Sequence, residues 1–253
     1  MPYLERDGVR IYYEQRGTGP AVLLTHGYGA SARMWQGQME ALSDRYQIIA
    51  WDMRGHDRSD YPEDPARYSH EATVGDMAAV MDACGAQKAV VGGLSLGGFM
   101  TLAFNLAFPA RVMALMVFDC GPGYKKDEPR AQWNRTAFEM ALAFEKDGLA
   151  ALSTSAEAAV AQHRNAQGLA LAARGMLTQK DSRVIDSLPS IRVPALVLAG
   201  AGDEPFLQST SYTAAKIPGA EKVILRGAGH AANIDQPAAF NAAVRSFLDR
   251  ATA

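Results

Sequence analysis

The chain has 253 residues, a length common for one α/β domain and short for two. Apolar residues make up 48%, enough for a large buried core, and the net charge of -2 is spread along the chain. That excludes the basic field that nucleic acid or an anionic membrane requires. Two cysteines, Cys84 and Cys120, imply no disulfide framework and read as buried free thiols.

Residues 1–7 carry mixed charge with no apolar run behind them, unlike a secretory signal, and no stretch approaches the ~20 apolar residues of a membrane span. A soluble, cytoplasmic protein is expected. Asp7-Gly8 is a hairpin turn pair ahead of a β-prone run at 9–15. Residues 17–20, Gly-Thr-Gly-Pro, break the chain. The apolar run 21–25 suits a strand buried on both faces and ends in His26-Gly27. Ser31 is placed to cap a helix bearing Met34, Met39 and Leu42. A second buried-type strand, 47–51, ends in Asp52-Met53-Arg54-Gly55.

Residues 73–83 have apolar side chains at helical spacing and Gly85 stops them. The strand 89–93 runs straight into Leu94-Ser95-Leu96-Gly97-Gly98, and a helix follows to about Phe108, where Pro109 ends it. Residues 112–118 form a further strand. This alternation predicts an α/β fold, a mostly parallel sheet with helices on both faces.

The pattern changes at Gly121-Pro122-Gly123. Between there and Pro189 no strand is legible. Trp133, Ala137, Met140, Ala141 and Phe144 share one helical stripe, and Gly148, Gly168 and Gly175 predict a division into three or four short helices. The sheet resumes at 194–199, followed by Gly200-Ala201-Gly202-Asp203. The last strand, 222–225, leads into Arg226-Gly227-Ala228-Gly229-His230, and a closing helix starts near Pro237. The expected organisation is a core of residues 1–120 and 190–253 interrupted by a helical cap at 121–189.

Gly93-Leu94-Ser95-Leu96-Gly97 is a Gly-x-Ser-x-Gly motif with a strand before it and a helix after it. So sharp a turn pushes the serine out above the sheet, and glycines flank it because a Cβ would clash. Serine needs a base. Of five histidines, His26 ends a strand, His56 and His70 lie in polar loop regions and His163 on a cap helix; all four read as structural or solvated. His230 stands after the last strand, at the sheet edge where α/β folds gather catalysis. Asp203 is the expected acid behind it, with Asp119 and Glu204 as rivals. Backbone N–H groups of Leu96 and Tyr28 are placed to form an oxyanion hole.

Trp133, Met140 and Phe144 are candidates for the substrate pocket. Lys125, Lys126, Arg130 and Arg135 either grip a substrate carboxylate or are solvated. No cluster has metal-ligand spacing, so no metal or cofactor is expected.

Five motifs carry a resemblance over nearly the whole length: His26-Gly27-Tyr28-Gly29, residues 52–59, residues 93–98, Gly200-Ala201-Gly202-Asp203 and Gly227-Ala228-Gly229-His230. In this order they resemble the α/β-hydrolase superfamily. The resemblance implies an eight-stranded sheet with its second strand antiparallel and a helical cap after the sixth strand. Asp57 stands where that family usually has Gly, and Asp235 where it usually has Glu. Serine at 95 argues against the dehalogenase and epoxide hydrolase branches, which use aspartate there. Gly-Leu-Ser-Leu-Gly-Gly looks more like small carboxylesterases and enol-lactonases than like carbon–carbon bond hydrolases, which typically have Asn before the serine. The expected activity is hydrolysis of a small to medium, largely apolar ester or lactone through an acyl-enzyme. The alternatives are a carbon–carbon bond hydrolase or acyltransferase with the same triad, or a ligand receptor on a hydrolase fold.

Overall fold

Asp7 and Gly8 both take positive φ, 54° and 72°, and this turn matches the twist of the hairpin it closes. It joins β1 (Tyr3–Arg6) to β2 (Val9–Arg16), paired antiparallel with Arg6 opposite Val9. The computed structural model describes residues 3–253. Strand β3 (Ala21–Thr25) follows, every residue buried. Ser31 then stands at the start of a tight turn ahead of α1 (Gln36–Leu42), but its hydroxyl caps nothing. The amide of Ala32 donates instead to Asp52 Oδ1 at 2.7 Å, which replaces the expected cap.

Strand β4 (Gln47–Trp51) leads to α2 (His70–Ala83), which begins three residues before the periodic run because Ser69 caps it, accepting from Ala72 N at 3.0 Å. His70 is thus the first residue of a helix rather than part of a loop. Strand β5 (Ala89–Leu94), α3 (Leu96–Ala107) and β6 (Val112–Phe118) follow. After the helical stretch come β7 (Ala195–Gly200) and, near the end, β8 (Glu221–Leu225). The eight strands form one sheet in the order β1-β2-β4-β3-β5-β6-β7-β8, and only the pairings of β2 are antiparallel. The central strands are continuous apolar runs because helices cover both faces. One face packs on α2 and α3. The other packs on α1 and on the closing helix, where Phe240, Val244, Phe247 and Leu248 point inward.

Between β6 and β7 the chain is helical, with one correction to the expected division. Residues Asp127–Asp147 form a single helix of 21 residues, α4, which Gly148 ends at φ 63°. Gly168 and Gly175 divide nothing. Gly168 lies within α6 (Ala166–Ala172), after the short α5 (Ala156–Ala159), and Gly175 lies in the π turn that continues α6. Each lies where main chain meets main chain: a Cβ on Gly168 would press on Gly55, and one on Gly175 on Tyr68. His163 sits in the coil between α5 and α6, not on a helix. The stretch closes with α7 (Arg183–Ser187). Beyond β7 come α8 (Glu204–Lys216), α9 (Ala232–Asp235) and α10 (Pro237–Ala251). Among the described residues no helix is long and apolar enough to cross a membrane.

Candidate active site

Where β5 gives way to α3, Ser95 holds φ 55° and ψ -117°. A non-glycine residue there is strained by roughly 1–3 kcal/mol, so its surroundings must over-determine it. They do. Ser95 N donates to Phe118 O at 2.9 Å, and Phe99 N donates to Ser95 O at 3.0 Å. A Cβ on Gly97 would collide with the carbonyl oxygen of Thr25, and one on Gly93 with the backbone of Gly97. The two glycines let β3, β5 and α3 close to main-chain contact, which leaves Ser95 raised at the carboxyl edge.

Two strands away, the turn after β7 places Asp203 just before α8, and the turn after β8 carries His230. Ala201 N donates to Leu225 O and Gly202 N to Ala228 O, each at 2.8 Å, tying the two turns together. His230 Nδ1 lies 2.8 Å from Asp203 Oδ2. With Nδ1–H as donor to the carboxylate, Nε2 is left as the proton acceptor. Burial lowers the imidazole pKa, but the hydrogen bond and charge of Asp203, with Asp119 and Glu157 behind, outweigh it and hold the net value above ordinary. The ring of Phe206 lies 5.1 Å from that of His230. No hydrogen bond joins Ser95 Oγ to His230; such contacts are often long without substrate and tighten when it binds.

Asp119 belongs to the same neighbourhood in another role. It is fully buried at φ 45°, and its Oδ1 accepts from Gly200 N at 2.8 Å. Burial above all holds its carboxyl above the usual range, and the charge of Asp203 adds to this. Glu204 is exposed in the first turn of α8. Asp235 does more than its position suggested: its Oδ2 accepts from Gly229 N at 2.7 Å and shapes the turn before His230.

The loop after β3 approaches Ser95 at Gly27, whose Cβ would meet that of Ser95 at 3.4 Å. In this loop Gly29 N donates to His56 Nε2 and Ala30 N to Gly27 O. The amides of Tyr28 and Leu96 have no acceptor among the described residues. The phenol of Tyr28 donates to Leu169 O at 2.9 Å, which ties the loop to α6 instead of lining a pocket.

His26 and His56, both buried, and the half-buried His163 form one structural cluster. Burial lowers all three, His26 to about 4 and His56 well below its ordinary value. His163 Nδ1 accepts from Asp57 N at 3.1 Å, and Nε2 lies 2.8 Å from Gly29 O. Asp57 tolerates the left-handed φ of 38° that glycine usually fills, and its side chain accepts from Arg33 Nε and Gln162 N.

A cavity of about 350 Å³ opens beside Ser95 and Leu96, within the range of small-molecule sites. Its walls include Phe99 and Cys120 from the core, Tyr124, Trp133, Leu177, Gln179 and Ile185 from the helical stretch, and Phe206 and Tyr212 from α8. None of its lining residues is charged. Of the three expected pocket residues only Trp133 lines it, held by its indole N–H on Leu177 O at 2.8 Å. Met140 is exposed, and Phe144 packs with Leu169 and Tyr28 between α4 and α6. Of the predicted stripe, Ala137, Ala141 and Phe144 are buried, Met140 faces out, and only Trp133 reaches the cavity. Lys125 pairs with Asp186 at 3.2 Å, Arg130 with Asp127, and Arg135 with Gln132; neither they nor Lys126 line the cavity. Gln179, Tyr124, Phe206 and Tyr212 had no sequence signal, since coil and helix ends meet here only in three dimensions.

The profile described as "Alpha/beta hydrolase family" matches residues 22–243. The chain belongs to that family. Among curated relatives, the "Putative carbamate hydrolase RutD" of Caulobacter sp. (strain K31) is 31% identical over 94% of this chain and 95% of its own. Among solved structures, a thermophilic esterase from Thermogutta terrifontis superposes with a TM-score of 0.81 at 27% identity, covering 100% of this chain and 98% of that one. The enol-lactonase from Burkholderia xenovorans LB400 gives 0.79 at 27%, covering 98% and 100%. This alpha/beta hydrolase therefore shares its whole architecture with hydrolases whose names differ in the bond cleaved.

Proposed function

We propose that the protein is a serine hydrolase that cleaves small to medium, uncharged carboxylic esters or lactones through an acyl-enzyme. The observation that carries this reading is the strained Ser95 in the wall of an uncharged, largely apolar cavity, on the same sheet edge as a histidine already oriented by Asp203. In the first step His230 Nε2 takes the Ser95 Oγ proton as Oγ bonds to the substrate carbonyl carbon. The amides of Leu96 and Tyr28 receive the developing oxyanion, and the start of α3 favours the negative charge. The imidazolium, stabilised by Asp203, then returns the proton to the leaving oxygen as the C–O bond breaks. Water, deprotonated by the same nitrogen, attacks the acyl-enzyme, releases the acid and restores Ser95–OH.

Residues 121–189 act as the cap on this reading, since Tyr124, Trp133, Leu177, Gln179 and Ile185 line the same cavity as Ser95. The absence of a charged lining residue favours a neutral ester or lactone over a substrate that binds through a free carboxylate. A fluorophosphonate probe, with mapping of the modified peptide, tests the nucleophile; modification elsewhere, or none, defeats the mechanism. A panel of neutral esters and lactones beside acidic lactones tests the substrate class, and preference for the acidic members would overturn it.

A further inference from the structure

Gln179 stands apart from the rest of the cavity wall. It follows the π turn in coil, yet its backbone is fixed twice by one side chain: Gln179 N donates to Asn134 Oδ1 at 2.7 Å and Asn134 Nδ2 donates to Gln179 O at 2.9 Å. A residue pinned to α4 in this way cannot turn its side chain out by moving the coil. Its side chain lines the cavity and is nine-tenths buried, with 9% exposure, and its Oε1 has no hydrogen-bond partner. Gly123, at φ 92°, leaves the amide its room, because a Cβ there would come within 2.9 Å of Oε1. Phe99, Trp133 and Leu177 line the same cavity. Buried amides are nearly always paired, so an unpaired one in a pocket wall calls for a partner from outside the protein.

Building on the esterase reading above, we infer that Gln179 is the residue that sets substrate choice, its side-chain amide accepting a hydrogen bond from a hydroxyl or N–H group carried by the part of the substrate that fills the cavity. The preferred substrates are then uncharged esters or lactones that are apolar except for one such donor. An alkyl chain of the same length leaves the amide buried and unpaired, and a site built to receive a donor rejects the analogue that lacks it. The oxyanion amides and His230 act on the ester group, so Gln179 affects which substrate reacts and takes no part in the chemical step.

The test compares kcat/KM for p-nitrophenyl esters of hexanoate, ω-hydroxyhexanoate, ω-methoxyhexanoate and ω-acetamidohexanoate, with shorter and longer homologues to bring the donor to the right depth. For the wild type the hydroxy or acetamido ester should exceed the methoxy ester by at least ~10-fold at one chain length. In Gln179→Met that ratio should fall to about one, and Gln179→Glu, which keeps an acceptor, should retain a preference for the donor. Asn134→Ala, at a half-buried position on α4, should lower the ratio less, because it frees the backbone and keeps the amide. A ratio unchanged in Gln179→Met overturns the inference, as does a wild type that treats hydroxy and methoxy esters alike at every length. Should the wild type cleave none of the esters and Ser95 resist the fluorophosphonate, the esterase reading itself falls. Cleavage without donor preference removes only the role of Gln179.

Discussion

At the carboxyl edge of the sheet, Ser95 and the turns beside it are held by main chain against main chain; residues 121–189, apart from the close approaches at Gly168 and Gly175, are held by side chains reaching across to backbone. On the first side, Gly97 lies against Thr25 O, Ser95 N bonds to Phe118 O and Gly202 N to Ala228 O. On the second, Trp133 reaches Leu177 O, Asn134 clasps Gln179, Tyr28 reaches Leu169 O, and Arg164 donates to Asp57 O. Main-chain contacts leave no latitude for a Cβ, so the edge accepts almost no substitution. Side-chain contacts can be exchanged one at a time, so the helical stretch is where the cavity wall can change while the sheet edge stays.

The comparison breaks most visibly if the nucleophile can be replaced. Ser95→Ala should lower kcat by at least ~10⁴-fold while the melting temperature stays within a few degrees. Purified variant with most of its turnover intact would remove Ser95 from the mechanism.

Asp203→Asn should cost about 10²–10⁴ in kcat, because the amide neither stabilises the imidazolium nor favours the right tautomer. Asp119→Asn should cost far less, since the amide oxygen still accepts from Gly200 N. With the wild-type imidazole held above its ordinary value, kcat/KM should rise on one ionisation with its midpoint above ~6.5, and Asp203→Asn should bring that midpoint down. The opposite ranking of the two aspartates would make Asp119 the acid.

Gly97→Ala and Phe144→Ala sharpen the contrast through stability. A Cβ at 97 is driven into the Thr25 carbonyl, and a loss of at least ~2 kcal/mol with misplacement of Ser95 is expected by denaturant titration and turnover. Phe144→Ala should cost about 3 kcal/mol and leave the ranking of esters alone, because the ring docks α4 on α6 outside the cavity. Trp133→Ala should reorder that ranking. If Phe144→Ala reorders it as well, the division between docking and lining residues fails.

The smallest effect is in the pH dependence of stability. Burial holds His26, His56 and His163 below the ordinary value, while in the unfolded chain they titrate near ~6.5. The unfolded state therefore binds more protons below that pH, and stability present above ~6.5 is lost as pH falls toward about 4. His230 has the opposite sign: its raised value stabilises below ~6.5 and that contribution is lost as pH rises through the folded value. His70 is lowered by burial as well, whereas the raised carboxyl of Asp119 acts with His230, so four groups against two predict a lower melting temperature at pH ~5 than at ~7. His163→Gln should flatten the difference, and a rise on acidification would count against the buried neutral cluster.

What was legible in the chain itself was whatever is local. The run 21–25, the strand–serine–helix junction at 93–97 and the Gly-x-Gly-His turn each state their conformation in consecutive residues, because a buried parallel strand must be apolar throughout and a sharp turn must lack Cβ atoms. That is why the sheet and its edge are legible from residue types and spacing, and why Ser95, Asp203 and His230 are the triad expected there. Other assignments needed the tertiary structure because the deciding contact lies far along the chain. Gly168 and Gly175 looked like breaks, but they are thin so that Gly55 and Tyr68 can approach. Asp57 looked like a tolerated departure and serves as an anchor for residues 162–164. Phe144 and Trp133 share a helical stripe, yet the packing of α6 takes one ring and leaves the other to the cavity. Gln179 carried no sequence signal at all: a lone glutamine in coil is ordinary until α4, Gly123 and Phe99 close around it and leave its amide without a partner.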